Sequence, residues 1–177
     1  RWYNQGTCSV TTVAYKAGIM ACDSCWTYGD AVDTLSTKIA RLKSGALLGM
    51  GGCNDSRQFI ELLDNVKTFK QLPKYKELIE IRASFIGLLV LPSKEIVKIC
   101  TTALAQTDWT DENSTELGIW PIEDGYAAIG SGADFAIGAL DYGASARQAV
   151  KIACRRDINS RLPVRQVTLE TKSVTGG

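Results

Sequence analysis

The sequence predicts an α+β domain in which two sheets pack on each other and helices cover them. Three observations predict it. Apolar segments of strand length and amphipathic helical segments come in blocks, in the order strands, helices, strands, helices, strand. Several strands, such as Ala46-Leu47-Leu48 and Phe85-Ile86-Gly87-Leu88-Leu89-Val90, are apolar throughout rather than alternating, as strands buried on both faces are. A chain of 177 residues with no internal repeat and no domain-sized linker has room for one substantial core. Stacked sheets under helices bury both faces of each strand.

Val10 to Tyr15 and Ile19 to Cys22 are short apolar runs separated by Lys16-Ala17-Gly18, the signal of a tight hairpin. A third strand is expected over Thr37 to Leu42 and a fourth over Ala46 to Met50, ending in Gly51-Gly52. Asn54-Asp55-Ser56 offers a helix cap, and Phe59, Leu62, Leu63 and Val66 follow at helical spacing. Pro73 punctuates the next stretch, and Tyr75 to Ile81 reads as a short helical piece. Ser84 to Leu91 and Ile96 to Thr101 read as paired strands with a turn at Pro92-Ser93. Gln106 to Glu116 is polar and irregular, hence a loop. Tyr126 to Ile129 is a short strand running through Gly130-Ser131-Gly132 into a helix over Ala133 to Leu140. Ser145-Ala146-Arg147-Gln148 is a capping-box pattern that starts a helix with Ala146, Ala149, Val150, Ala153 and Cys154 on one face. Val164 to Thr171 is a last strand, and 173–177 a tail.

Composition narrows the function classes. Twenty basic against 19 acidic residues leave a net charge of +1, which argues against a dedicated nucleic-acid surface. Lys67, Lys70, Lys74 and Lys76 are interrupted by Phe69 and Leu72 and followed by Glu77 and Glu80, the pattern of a solvated helix face. The longest apolar run, Phe85 to Leu91, is far short of the ~20 residues that span a bilayer, so no membrane partner is expected. Arg1 to Gly6 lacks the apolar core of a secretory signal. Most of the six cysteines sit in apolar patterns and read as buried thiols of a reducing, cytoplasmic compartment. Cys22 and Cys25 form a lone CxxC, without the second ligand pair of a zinc site or the helix start of a redox motif. Neither a metal nor another cofactor is expected.

The chain contains no histidine, so the usual base for a serine or cysteine nucleophile is missing. A threonine freed at a chain start can use its own α-amino group instead. If Ala17-Gly18 form the hairpin turn, Thr12 faces Asp23 and Thr11 faces Ser24; if Lys16-Ala17 form it, Thr11 faces Cys22. Either register brings Thr11 and Asp23 to one end of the hairpin, while Thr7 lies four residues further out, roughly 13 Å at ~3.3 Å per residue. Lys38, in a strand, would share a face with Ala40 and Leu42, and a lysine turned inward needs a partner such as Asp23. Held beside a threonine hydroxyl, it would lower the hydroxyl's pKa. Asp157 continues the Ala146, Val150, Cys154 stripe at a helix C-terminus, where an acid opposes the helix dipole; holding a protonated amine, with Ser160 in the same network, would explain it. Gly51-Gly52 and Gly130-Ser131-Gly132 let a backbone N–H approach a substrate carbonyl, and Ser131 can bond an amine.

Together these pieces resemble the proteasome β-subunit family of N-terminal threonine hydrolases, and most closely its bacterial and phage-type homologues. The residues that carry the resemblance are Thr11-Thr12-Val13-Ala14-Tyr15 leading to Met20-Ala21-Cys22-Asp23, then Thr37-Lys38-Ile39-Ala40-Arg41-Leu42 and Gly49-Met50-Gly51-Gly52. Ala128-Ile129-Gly130-Ser131-Gly132-Ala133-Asp134-Phe135-Ala136 and Ala153-Cys154-Arg155-Arg156-Asp157-Ile158-Asn159-Ser160 complete the set, which runs from about Thr11 to Glu170. The bacterial peptidase subunit that works with an unfoldase ATPase is a more distant relative by the same signs.

The resemblance implies a four-layer αββα sandwich of N-terminal nucleophile hydrolase type, with 1–10 a leader or propeptide and 11–172 the hydrolase domain. It implies a threonine-type endopeptidase in which the Thr11 hydroxyl attacks a peptide carbonyl with its α-amine as base. Lys38 and Asp23 would support that nucleophile, the Gly52 N–H would sit at the oxyanion, and Ser131, Asp157 and Ser160 would orient the amine. Met50 would line the specificity pocket. The implied partners are further copies of the chain in stacked rings, unfolded polypeptide substrate and, in some relatives, an unfoldase ATPase. Propeptides of the family usually end in Gly, so Gly6-Thr7 keeps Thr7 open as the mature start. Retention of the leader would instead mark a catalytically silent assembly or virion structural protein. A small-amide hydrolase acting outside any ring is the third reading.

Overall fold

The computed structural model describes residues 11–28, 31–33, 38–51, 57–72, 85–103 and 115–169. The leader, Thr7, Gly52, Asn54-Asp55-Ser56, the expected helical piece Tyr75 to Ile81 and the tail lie outside these. The described residues form a mixed α+β unit of antiparallel strands and few helices. None of its helices is long and apolar enough to cross a membrane.

The hairpin forms as read. β1 (Thr12–Lys16) and β2 (Ile19–Cys22) pair with Lys16 opposite Ile19 and Val13 opposite Cys22. Ala17 (φ 51°) and Gly18 (φ 81°) are both left-handed, as a two-residue turn matching strand twist requires, so the first of the two registers is realised. β10 (Tyr126–Gly130) pairs with the other edge of β1, and β11 (Arg165–Thr168) with β2, giving the order β10-β1-β2-β11. A second sheet has the order β5-β6-β7-β8-β9, from β5 (Ile39–Arg41), β6 (Leu47–Gly51), β7 (Phe85–Val90), β8 (Ile96–Ala103) and β9 (Thr115–Ile122).

Several expectations need correcting: β5 and β11 are shorter than the strands expected over Thr37 to Leu42 and Val164 to Thr171. The sequence between Cys22 and Thr37 carries a small ribbon, β3 (Trp26–Tyr28) on β4 (Ala31–Asp33), where no strand is expected. Thr115 and Glu116, expected at the end of the polar loop, belong instead to a strand that runs over Thr115–Ile122; the rest of that expected loop lies outside the described residues. Gly118 and Pro121 depress its strand signal, and β9 tolerates the proline because it lies at the sheet edge.

Three apolar clusters lie between the elements. One joins the sheets: Val13, Met20 and Cys22 meet Leu47, Leu88 and Val90. The second lies beneath α1 (Arg57–Leu63), where Phe59 and Leu63 meet Leu48, Phe85, Leu89 and Ile99. The Phe59 and Phe85 rings stack with centroids 3.8 Å apart. The third lies under α2 (Ala133–Asp141) and α3 (Ala146–Arg156), where Ala136, Ala149, Val150 and Ala153 cover Ala14 and Ala21. Alanines on both sides let the helices approach the sheet closely. The capping box is made: Ser145 Oγ accepts from the Gln148 N–H. α1 stops at Leu63, before the expected Val66, whose N–H donates to the Leu63 carbonyl three residues back rather than continuing the helical pattern.

Gly49, on β6, faces the side chains of the hairpin sheet. A Cβ there would stand 2.5 Å from Val13 Cγ1 and 3.2 Å from Met20 Sδ. Gly49→Ala is therefore expected to lower stability by about 1–3 kcal/mol in urea unfolding. Adding Val13→Ala removes the obstructing methyl, so the double variant should lose less than the sum of the two single changes.

Candidate active site

The hairpin register brings Thr12 opposite Asp23. The Asp23 N–H donates to the Thr12 carbonyl at 3.0 Å, and the Thr12 N–H donates to Asp23 Oδ1 at 2.8 Å. β1 and β2 thus end in a closed ring of backbone and carboxylate. Asp23 has no exposed surface. Lys38, the residue before β5, is 1% exposed, and its Nζ donates to Asp23 Oδ1 at 2.8 Å. Thr11 Oγ1 stands 3.5 Å from the same oxygen, a long hydrogen bond. Asp23 Oδ2 accepts from the N–H groups of Cys25 (2.8 Å) and Arg161 (3.2 Å). A buried charge persists only when paired and hydrogen-bonded, and here both conditions are met. Lys38, expected within a strand over Thr37 to Leu42, lies one residue before the shorter β5 that forms, and its carbonyl accepts from the Met50 N–H at 2.8 Å.

A second polar network lies on the helix side of the same strand. Asp157 is the residue after α3, with extended backbone (φ −87°, ψ 120°), rather than a further member of the helical stripe. As the C-cap of α3 it still stands at the negative end of the helix dipole, which the donors around its carboxylate offset. Its Oδ2 accepts from Ser160 Oγ (2.6 Å) and Ser131 Oγ (2.7 Å), and its Oδ1 from the Asn159 N–H (3.1 Å). Burial opposes ionisation of this carboxyl, but the hydrogen bonds from Ser160, Ser131 and Asn159, aided by the Lys38 charge, hold it below the usual carboxylate range. Ser131 Oγ also lies 3.3 Å from the Thr11 carbonyl oxygen, and Ser160 Oγ 2.6 Å from Thr12 Oγ1.

The glycines beside Ser131 permit this approach. Gly130 has φ 98°, and a Cβ on it would fall 2.0 Å from the Thr11 carbonyl oxygen. A Cβ on Gly132 would fall 2.2 Å from Thr12 Oγ1.

The structure therefore gathers Thr11, Asp23, Lys38, Ser131, Asp157 and Ser160 around the start of β1. Met50 is 8% exposed, with its side chain in the apolar cluster beneath α1, and Gly52 is not among the described residues. Sequence reasoning placed Thr12 opposite Asp23 but missed its hydroxyl's contact with Ser160, and it missed the backbone donors of Cys25 and Arg161. The glycine pair flanking Ser131 signals close backbone approach; nothing in the sequence signals the two N–H groups. Cys22 and Cys25 are buried free thiols, and Cys100 and Cys154 are also free. Burial pushes the Cys22 thiol up and, with the Asp23 charge adding, drives Cys154 up to about 12, so neither supplies a thiolate near neutrality. Among the described residues no cluster of potential ligands suits a metal ion.

No family model matches this chain, and neither does any curated protein. Among solved structures it is similar to Thiobacillus denitrificans BPH, at 17% identity and a TM-score of 0.51, over 90% of this chain and 98% of that one. A likeness at that identity bears on the fold alone.

Lys38→Met leaves Asp23 buried without its cation and is expected to cost about 3–5 kcal/mol in urea unfolding at pH 7. For Asp157 the sign runs the other way with acid. Its folded pKa lies below the unfolded value of about 3.9, so its contribution is complete above that pH and is lost as pH falls through the folded value. Asp157→Asn should be about 2 kcal/mol less stable than the parent at pH 7, with the difference narrowing below about pH 4.

Proposed function

We propose that this chain is an N-terminal threonine peptidase of the proteasome β-subunit kind. The observation that carries the reading is the wholly buried Lys38–Asp23 pair at 2.8 Å with the Thr11 hydroxyl 3.5 Å from the same carboxylate oxygen, in a chain without histidine. The three apolar clusters support a four-layer αββα sandwich, with α2 and α3 outside one sheet and α1 outside the other.

On this reading, cleavage of the Val10–Thr11 bond turns the Thr11 amide into a free amine. The amine takes the proton of Thr11 Oγ1 as that oxygen attacks the carbonyl carbon of a peptide. Lys38 holds positive charge near the developing alkoxide, and Asp23 holds Lys38. The carbonyl oxygen of the substrate takes up negative charge, for which the Gly52 N–H is the proposed donor. Collapse of the tetrahedral species expels the leaving amine, which receives the proton from the Thr11 ammonium, and leaves an ester on Thr11 Oγ1. Water then hydrolyses the ester, with the same amine as base. Ser131, Asp157 and Ser160 orient the amine. The substrate is unfolded polypeptide admitted to a chamber of stacked homo-oligomeric rings.

Mass spectrometry of the purified protein is expected to show a mature chain that begins at Thr11. Thr11→Ala should reduce hydrolysis of a fluorogenic peptide by ~10³-fold or more while leaving the fold intact by circular dichroism. Sedimentation should show a ring-sized assembly, whereas an active monomer would indicate a small-amide hydrolase. A chain that assembles with its leader attached and cleaves no peptide would overturn the peptidase reading in favour of a silent structural protein.

A further inference from the structure

Thr12 is the least conspicuous residue of the site, yet it touches both polar networks. Its main chain is bound to Asp23 in both directions, N–H to Oδ1 at 2.8 Å and carbonyl from the Asp23 N–H at 3.0 Å. Its side chain, on the opposite face, has no exposed surface and reaches Ser160 Oγ at 2.6 Å. The direction of that hydrogen bond follows from proton counting. A serine hydroxyl has one proton to give. That of Ser160 goes to Asp157 Oδ2 at 2.6 Å. Thr12 Oγ1 must therefore be the donor, and the relay runs from Thr12 through Ser160 to Asp157.

The pocket around this hydroxyl fits it closely. A Cβ on Gly132 would stand 2.2 Å from Thr12 Oγ1 and 3.1 Å from Ser160 Oγ, so the glycine leaves room for the hydroxyl pair and for little else. A Val at position 12 keeps the shape of Thr and removes the donor. Ser160 Oγ would then have one lone pair unfilled, in a site where it is 2% exposed.

We propose that Thr12 is a positioning residue for the reaction at Thr11: its hydroxyl occupies one lone pair of Ser160, so that Ser160 turns its proton to Asp157 and presents a single remaining acceptor toward the Thr11 amine. The proposal rests on the threonine-peptidase reading above. With the Thr12 donor gone, Ser160 has a second lone pair to offer an ammonium, and acceptors around an amine favour its protonated form. The amine that must act as a base is then more often protonated.

The test compares the processed parent with Thr12→Val and Thr12→Ser, with Thr11→Ala as the inactive reference. Thr12→Val is expected to lower kcat about tenfold, the rate equivalent of one hydrogen bond. KM for a short fluorogenic peptide should stay within about twofold, because Thr12 has no exposed surface to offer substrate. The acid limb of kcat/KM should move to higher pH. Thr12→Ser, which keeps the donor, should restore both kcat and the pH profile, a rescue that a packing role alone would not give. Thr12→Val with parental kcat and pH profile overturns the assignment while leaving the peptidase reading intact. So does a Thr12→Ser variant as impaired as Thr12→Val. A processed parent no more active than Thr11→Ala overturns the peptidase reading and this proposal with it. Should Thr12→Val fail to fold, the Thr12→Ser pH profile and the Ser160→Ala variant decide instead: Ser160→Ala should show the kcat loss, and parental kcat there overturns the proposal.

Discussion

The carboxylate of Asp23 is the constraint on which the rest of the site depends. It lies in the interior with no surface exposed, and five donors from four parts of the chain converge on its two oxygens. The start of β1 supplies Thr11 and Thr12, the turn after β2 supplies Cys25, the entry to β5 supplies Lys38, and the segment after α3 supplies Arg161. A carboxylate in an apolar interior is tolerable only if such a set is complete. Each of those segments is thus held in place by the need to satisfy one side chain. The two sheets and the segment after α3 meet at this point.

Asp157 is a carboxylate with a different task. It accepts from two hydroxyls and one N–H rather than from a cation. Hydroxyls can rotate and exchange partners, as Ser131 shows by lying within reach of both Asp157 and the Thr11 carbonyl. The first network is ionic and brings charge close to the Thr11 hydroxyl. The second is neutral apart from its acid and surrounds the main chain of the same residue. The dipeptide Thr11-Thr12 separates them, with the Thr12 backbone on one and its side chain on the other.

Much of this was legible in the sequence, for identifiable reasons. Lys16-Ala17-Gly18 marked a tight turn with two possible registers, and the turn at Ala17-Gly18 set the one that pairs Thr12 with Asp23. The Ser145 capping box and the apolar runs at Leu47 and Phe85 marked their elements by local chemistry. What escaped had weak local signals. β3 and β4 are three residues each, too short for a period to show. β9 carries a glycine and a proline that only an edge position excuses. Asp157 kept helical spacing one residue beyond the helix, where the backbone had already turned. Thr12 looked like any strand threonine, because nothing local records a partner 148 positions away.

Thr11 stands at the end of a strand flanked on both sides, by β2 and by β10. Its neighbours are therefore immobilised by the sheet, not by the arrival of another molecule. Much of the conformational entropy of aligning a hydroxyl, a cation and an acid was surrendered when the chain folded. Such preorganisation means that the chemistry proposed for Thr11 would start with its hydroxyl, cation and acid already placed, and that softening the sheet would be felt there.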